Sequence, residues 1–194
     1  GEDTTGEPLM NSLNEIGNIN CQQPKDGHKF KAGQIYLAPS DHHMMIGKNS
    51  EILITKGARE NRYRPAIDPL FRSAAVSYGN RVIGIVLTGY LDDGTAGLIA
   101  INRCGGICIA QEPSDAAYPA MPQSAIKNAK VDYCVPIAEI GALLTKLIQR
   151  QPRKAKKPPE DIVIEAKIAQ RVLSDLPAVE ALGDQVPDDG LRDG

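Results

Sequence analysis

The chain has 194 residues, with 22 Lys and Arg against 24 Asp and Glu and a formal net charge of −2. That balance leaves no basic footprint for nucleic acid or for an anionic membrane surface, so neither is expected as a partner. Hydrophobic residues are 42% but aromatics only 4%, and Trp is absent, so the core must be aliphatic. No apolar run approaches the ~18 residues of a membrane span, and the first twenty residues are acidic and polar rather than a leader.

In chain order, residues 9–16 form a short helix-like stretch, and 24–27 mark a turn. Residues 34–38 read as a strand closed by Pro39. Residues 43–46 and 51–55 flank a polar Gly-Lys-Asn turn and predict a hairpin. Residues 68–78 predict a helix with Leu70, Phe71, Ala74, Ala75 and Tyr78 on one face. The run 82–87 is continuously apolar, as in a strand buried on both faces. It breaks at Thr88 and Gly89, sets Asp92 and Asp93 before Gly94, and leads into a helix over 95–103. A second such unit follows, strand 106–111 and helix 122–129. Then come a strand over 131–135 and a helix opened by Pro136. This alternation predicts an α/β fold with a doubly wound, mostly parallel sheet. Residues 1–149 read as the main domain and 150–160 as a basic, Pro-containing linker. Residues 161–194 read as a helical segment (Ile162, Ala166, Ala169, Leu173 and Leu176 on one face) and then an acidic, disordered tail.

Ligands and chemistry in open α/β sheets gather beyond the carboxyl ends of strands. Asp93 is therefore the leading candidate acid, able to orient a His as the acid of a Ser-His-Asp triad does. Asp92 competes for the role, and either could instead cap the following helix. His42 and His43 are candidate bases; one packed and one solvated is the plainer reading. No Ser lies in a Gly-x-Ser-x-Gly elbow. Arg64, in Arg-Tyr-Arg-Pro, could bind a carboxylate or cover a helix start. Met121 heads a helix whose free N–H groups favour negative charge. No phosphate-cradling motif occurs, and no cofactor is expected. The four cysteines, Cys21, Cys104, Cys108 and Cys134, fit no zinc spacing. They read as free thiols in a reducing, cytoplasmic compartment.

Residues 87–98 (LTGYLDDGTAGL) resemble the acid motif of the CheB-type chemotaxis protein-glutamate methylesterases. Residues 109–125, 33–43 and 64–75 resemble three further blocks of that family, in order and with matching spacing. The resemblance implies a doubly wound α/β esterase that hydrolyses γ-glutamyl methyl esters on chemoreceptor helices and releases methanol. It implies a Ser nucleophile, a His base and an Asp that orients the His, and it assigns Asp93 as that Asp. It also implies oxyanion stabilisation by backbone near Tyr90, where the family has Met, and a cleft block in which Ala66 follows Arg64-Pro where the family has Ser. Arg64 and Met121 are the other cleft candidates. The family's Ser and His segments precede the matched part, so the 194 residues are expected to hold the C-terminal two-thirds of the domain without its first strands, with an open apolar sheet edge and no esterase activity of their own. Methylated chemoreceptor helices are the implied partners, with a receiver domain or a methyltransferase as further ones. Two other functions stay open: a non-catalytic module that binds receptors or signalling partners, and an α/β domain whose acidic loop holds a metal.

Overall fold

The computed structural model describes residues 6–17 and 19–171. The acidic tail and the expected face positions Leu173 and Leu176 lie outside the described residues.

Helix α1 (Glu7–Ile16) packs beside the short strand β1 (Asn20–Gln22), which pairs in parallel with β2 (Gln34–Tyr36). Strand β1 is too short and polar to register as a sequence signal. Strands β3 (His43–Ile46) and β4 (Ile52–Thr55) form the expected antiparallel hairpin, with Met44 opposite Ile54. Helix α2 (Ile67–Tyr78) lies against it. Then come β5 (Ile83–Val86), α3 (Thr95–Arg103), β6 (Ile107–Gln111), α4 (Ala120–Asn128), β7 (Tyr133–Val135) and α5 (Ile137–Ile148). Strands β5, β6 and β7 form one parallel sheet with β6 in the middle. The expected single sheet is thus divided: two parallel sheets and one hairpin, with helices between. Among the described residues β5 is paired on one side only, to β6.

The core is aliphatic. Ala75 of α2, Val86 of β5, Leu98 and Ile101 of α3, Cys108 and Ala110 of β6, and Ala125 of α4 pack together, with Phe71 against them. Gly97 sets the approach of α2 to α3. A Cβ there would stand 2.5 Å from Phe71 Cβ and 3.0 Å from Asp68 Oδ1. Cys21, Cys104 and Cys108 are buried, and Cys134 is exposed.

Residues 150–159 are coil, but they are not a free linker. Arg153 donates to Gly106 O (3.2 Å) and to Asp132 Oδ1 (2.8 Å), and Asn80 Nδ2 donates to Arg153 O. Asn80, Gly106 and Asp132 precede β5, β6 and β7, so the segment straps the amino ends of all three strands. It delivers helix α6 (Glu160–Arg171) onto α2. Ile162 (4% exposed) and Ala166 (3%) are buried there, and Ile162 joins the main core.

Candidate active site

Asp93 lies in the turn between β5 and α3, at the carboxyl end of the sheet and opposite the strap. It is only 6% exposed. The expectation that an acid here caps its own helix is corrected by the geometry. Helix α3 is preceded by Gly94 at φ 89°, in the left-handed region that favours glycine. Asp93 instead reaches across to the start of α2. Its Oδ2 accepts from Ile67 N (2.8 Å) and its Oδ1 from Asp68 N (3.3 Å) and Asn61 Nδ2 (3.0 Å). The first N–H groups of a helix have no partner inside it, and an acid there also favours the helix dipole.

Asp68 returns the arrangement. Its Oδ1 accepts from Gly97 N in the first turn of α3 (2.7 Å), and its Oδ2 accepts from the same Asn61 amide (2.7 Å). Each helix start is therefore closed by a carboxylate of the other, with Asn61 bridging the two. Burial pushes the Asp68 carboxyl above its ordinary range, and the Asp93 charge adds to the push; the bonds from Gly97 and Asn61 oppose it. Asn61 and Asp68 were missed from sequence. The sole signal was an Asp in the first helical turn before Pro69. Asp92 is exposed and takes no part.

The two candidate bases do not meet Asp93. His43 is buried, with Nε2 against Ala58 O (2.8 Å) and Nδ1 accepting from Ala66 N (3.2 Å). That network puts its proton on Nε2. His42 Nδ1 bonds Ser40 O (2.8 Å). His43 thus holds the Ala66 backbone, one residue before the peptide that Asp93 caps.

Arg64 does not open into the cleft. Its Nε and one amino group bind Asp41 Oδ1 (3.0 and 2.7 Å), and the other amino group donates to Gly57 O (2.6 Å) and Lys56 O (3.3 Å). It clamps two loops through the Asp41 carboxylate and two carbonyls, rather than covering the start of α2. The paired guanidinium and Lys56 hold Asp41 below the usual carboxylate range.

Met121 meets Gly89, the residue before Tyr90, and Tyr90 meets Tyr118. Gly89 N donates to Tyr118 O (2.9 Å), Met121 N donates to Gly89 O (3.2 Å), and Tyr118 N donates to Thr88 Oγ1 (2.7 Å). A Cβ on Gly89 would collide with Met121 Sδ. Tyr90 is 57% exposed and its ring leans on that of Tyr118, centroids 4.4 Å apart. Contact with the Tyr118 hydroxyl raises its phenol. Buried Gln111, at the end of β6, fixes this loop from below: its Oε1 accepts from Thr88 N (2.8 Å), and its Nε2 donates to Asp115 Oδ2 (2.8 Å). Asp115 in turn caps α5 through Ile137 N (2.8 Å), which with Gln111 holds its carboxyl low. Among the described residues no group of three or more His, Cys, Asp or Glu gathers at metal-binding distance.

A buried acid and a stapled Gly-containing loop thus stand at the carboxyl ends of parallel strands, where α/β domains gather ligands and chemistry. The sequence matches the family CheB methylesterase over residues 2–144. It is 33% identical over 140 residues to the protein-glutamate methylesterase/protein-glutamine glutaminase of Pyrococcus abyssi, covering 71% of this chain and 38% of that one. The corresponding Photorhabdus laumondii protein is 34% identical over 143 residues, 72% of this chain and 41% of that one. A Leptospira interrogans protein provisionally named for the same two activities is 36% identical over 137 residues, 71% of each chain. The crystal structure of the Thermotoga maritima CheB methylesterase catalytic domain superposes with a TM-score of 0.69 at 30% identity, over 72% of this chain and 76% of that one. The chain belongs to the CheB methylesterase family.

Proposed function

We propose that the chain carries the acid and the oxyanion loop of a protein-glutamate methylesterase of bacterial chemotaxis. The observation that supports this best is Asp93: a buried carboxylate at the end of a parallel strand, its orientation set by two backbone N–H groups and one amide. In a triad such an acid holds an imidazole in the tautomer that accepts the nucleophile's proton, and stabilises the cation formed. The substrate is a γ-glutamyl methyl ester on a chemoreceptor helix. Water is consumed, the glutamate side chain is regenerated on the receptor, and methanol leaves. The glutaminase activity in the relatives' names is the same acyl transfer with ammonia as leaving group. On this reading Arg64 and Met121 shape the cleft through the backbone they hold, and loop backbone near Tyr90 faces the developing oxyanion. The chain works in the cytoplasm, with methylated receptors as substrate and a receiver domain or a methyltransferase as signalling partners.

The 194 residues hold no Gly-x-Ser-x-Gly turn, and both candidate histidines are bonded away from Asp93. Loss of a triad's Ser or His costs on the order of 10⁶ in kcat. The chain alone is therefore expected to release methanol from methylated receptor no faster than its Asp93→Asn variant. Joined behind the Ser- and His-bearing segment of a relative, it should release methanol, and Asp93→Asn should then lower kcat by about 10⁴. A fusion that is active and indifferent to Asp93→Asn would remove Asp93 from the triad. The bonded-away histidines equally suit a non-catalytic module, which would bind receptors and stay inactive in that fusion.

A further inference from the structure

The segments that flank Asp93 at the mouth of the site carry large apolar side chains in contact with water. Tyr90, Leu91 and Tyr118 are each about half exposed (57, 48 and 50%), and Tyr63 is 43% exposed. Single exposed apolar residues are ordinary, but several gathered beside one site mark a binding surface. The Tyr90 and Tyr118 rings lean together, and the Tyr63 phenol is close enough to add to the rise of the Tyr90 phenol.

These side chains are presented by fixed backbone. Tyr118 N donates to Thr88 Oγ1 and Gly89 N donates to Tyr118 O, so the loops that carry Tyr90 and Tyr118 are tied to each other. Tyr63 closes a tight turn with Glu60, each N–H donating to the other's carbonyl (2.8 and 3.1 Å), and the same turn supplies the Asn61 amide to Asp93. Leu91 has φ 61°, and Asn61 and Arg62 have φ 52° and 71°. A Leu in the left-handed region is strained, and strained residues cluster at functional sites. Leu91 lies outside the core cluster, so core packing does not account for it.

On the esterase reading a helix brings its methyl ester to Asp93. Side chains three or four residues apart on a helix are neighbours on one face. The residue one turn from the ester therefore lies against the lip of the site, which at Tyr90, Leu91 and Tyr118 is aromatic and aliphatic. Tyrosines give a large, rigid contact area at low conformational cost. We propose that Tyr90, Leu91 and Tyr118 form a platform that selects the substrate helix by taking the aliphatic side chain one turn from the methyl ester. The platform presupposes the esterase reading and names the feature of the helix that the site reads.

The test uses the full chain and fluorescent helical peptides of about 20 residues, long enough to hold a helix. One carries a central γ-methyl glutamate with Leu four residues to either side; the other has both Leu changed to Ser. Wild type should bind the Leu peptide at least about tenfold tighter, the scale of burying one Leu side chain. Tyr90→Ser should abolish that preference, and Tyr90→Phe, which keeps the ring, should retain it. Leu91→Gly relieves the positive φ. It should weaken binding of the Leu peptide without lowering the melting midpoint, a combination that a purely structural role for Leu91 does not give. Equal binding of the two peptides by wild type, failure to bind either, or a Leu preference that survives Tyr90→Ser would overturn the platform. Methanol release by the fusion and its dependence on Asp93 report on the esterase reading separately. An active, Asp93-dependent fusion alongside any of those results would remove the platform alone.

Discussion

Asn61 donates both hydrogens of one amide to two acids that close two different helices, so its side chain sets where Asp93 and Asp68 stand. Asp68 is the titrating member. Its folded carboxyl binds a proton more tightly than the unfolded chain's, chiefly through burial. Stability drawn from this group therefore falls as pH rises from the unfolded value near ~3.9 through the raised folded value. Asp68→Asn removes that fall, so the variant's stability relative to wild type should increase with pH across this window in urea melts. A difference independent of pH would show that Asp68 titrates alike in both states. Gly97→Ala tests the neighbouring contact. The added methyl meets the Phe71 Cβ rather than a flexible side-chain end, and overpacking of this kind costs about 1–3 kcal/mol. The midpoint should drop with the denaturant slope unchanged.

At the scale of elements, the helix starts are closed by remote groups. Asp93 caps α2, Asp68 caps α3 and Asp115 caps α5, while the residues that precede these helices, Ala66, Gly94 and Pro136, offer no side-chain cap. Asp93→Ala should thus loosen a helix to which it does not belong. Removal of a cap costs about 0.5–2 kcal/mol, and hydrogen exchange should rise at Ile67 and Asp68 before it rises in α3. Early exchange confined to α3 would mean that Asp93 serves its own helix. Helix α6 follows the same logic: its face is legible from Ile162, Ala166 and Ala169, but its seat depends on arginines 58 and 93 residues away in sequence, read as Asp161 less Arg103 and Glu165 less Arg72.

For the whole molecule, thiol accessibility reports how much of the fold must open. Burial pushes the Cys108 thiol up to about 12 and raises that of Cys104, and both pack in the core. Cys134 is exposed at the sheet's far strand. An aromatic disulfide reagent at pH 8 should modify Cys134 first, and Cys134→Ser should abolish the fast phase. Cys104 and Cys108 should react only at the rate of global opening. Fast modification of Cys108 would mean that α3 separates from β6 far below the melting point.

Element type and order were legible because periodicity is local: the hairpin at 43–55, α2, α3 and the strands before and after it match their predicted spans to within two or three residues. The acid's position was legible for the same reason, since a buried strand followed by Asp-Asp-Gly puts a carboxylate at the strand's end. Its bonding was not. Asp93 meets Ile67 26 residues upstream, and His43 and Arg64 are turned inward by carbonyls and an acid brought near only by folding. The anchoring of residues 150–159 is another case, because Arg153 acquires its partners at the strand starts only after the sheet has formed. By itself the sequence determined the alternation of strands and helices, the aliphatic core and the family, all carried by patterns a few residues long. Tertiary structure alone decided which acid closes which helix, which polar groups stay unpaired and where α6 sits. Those depend on desolvation and on distances between segments far apart in the chain.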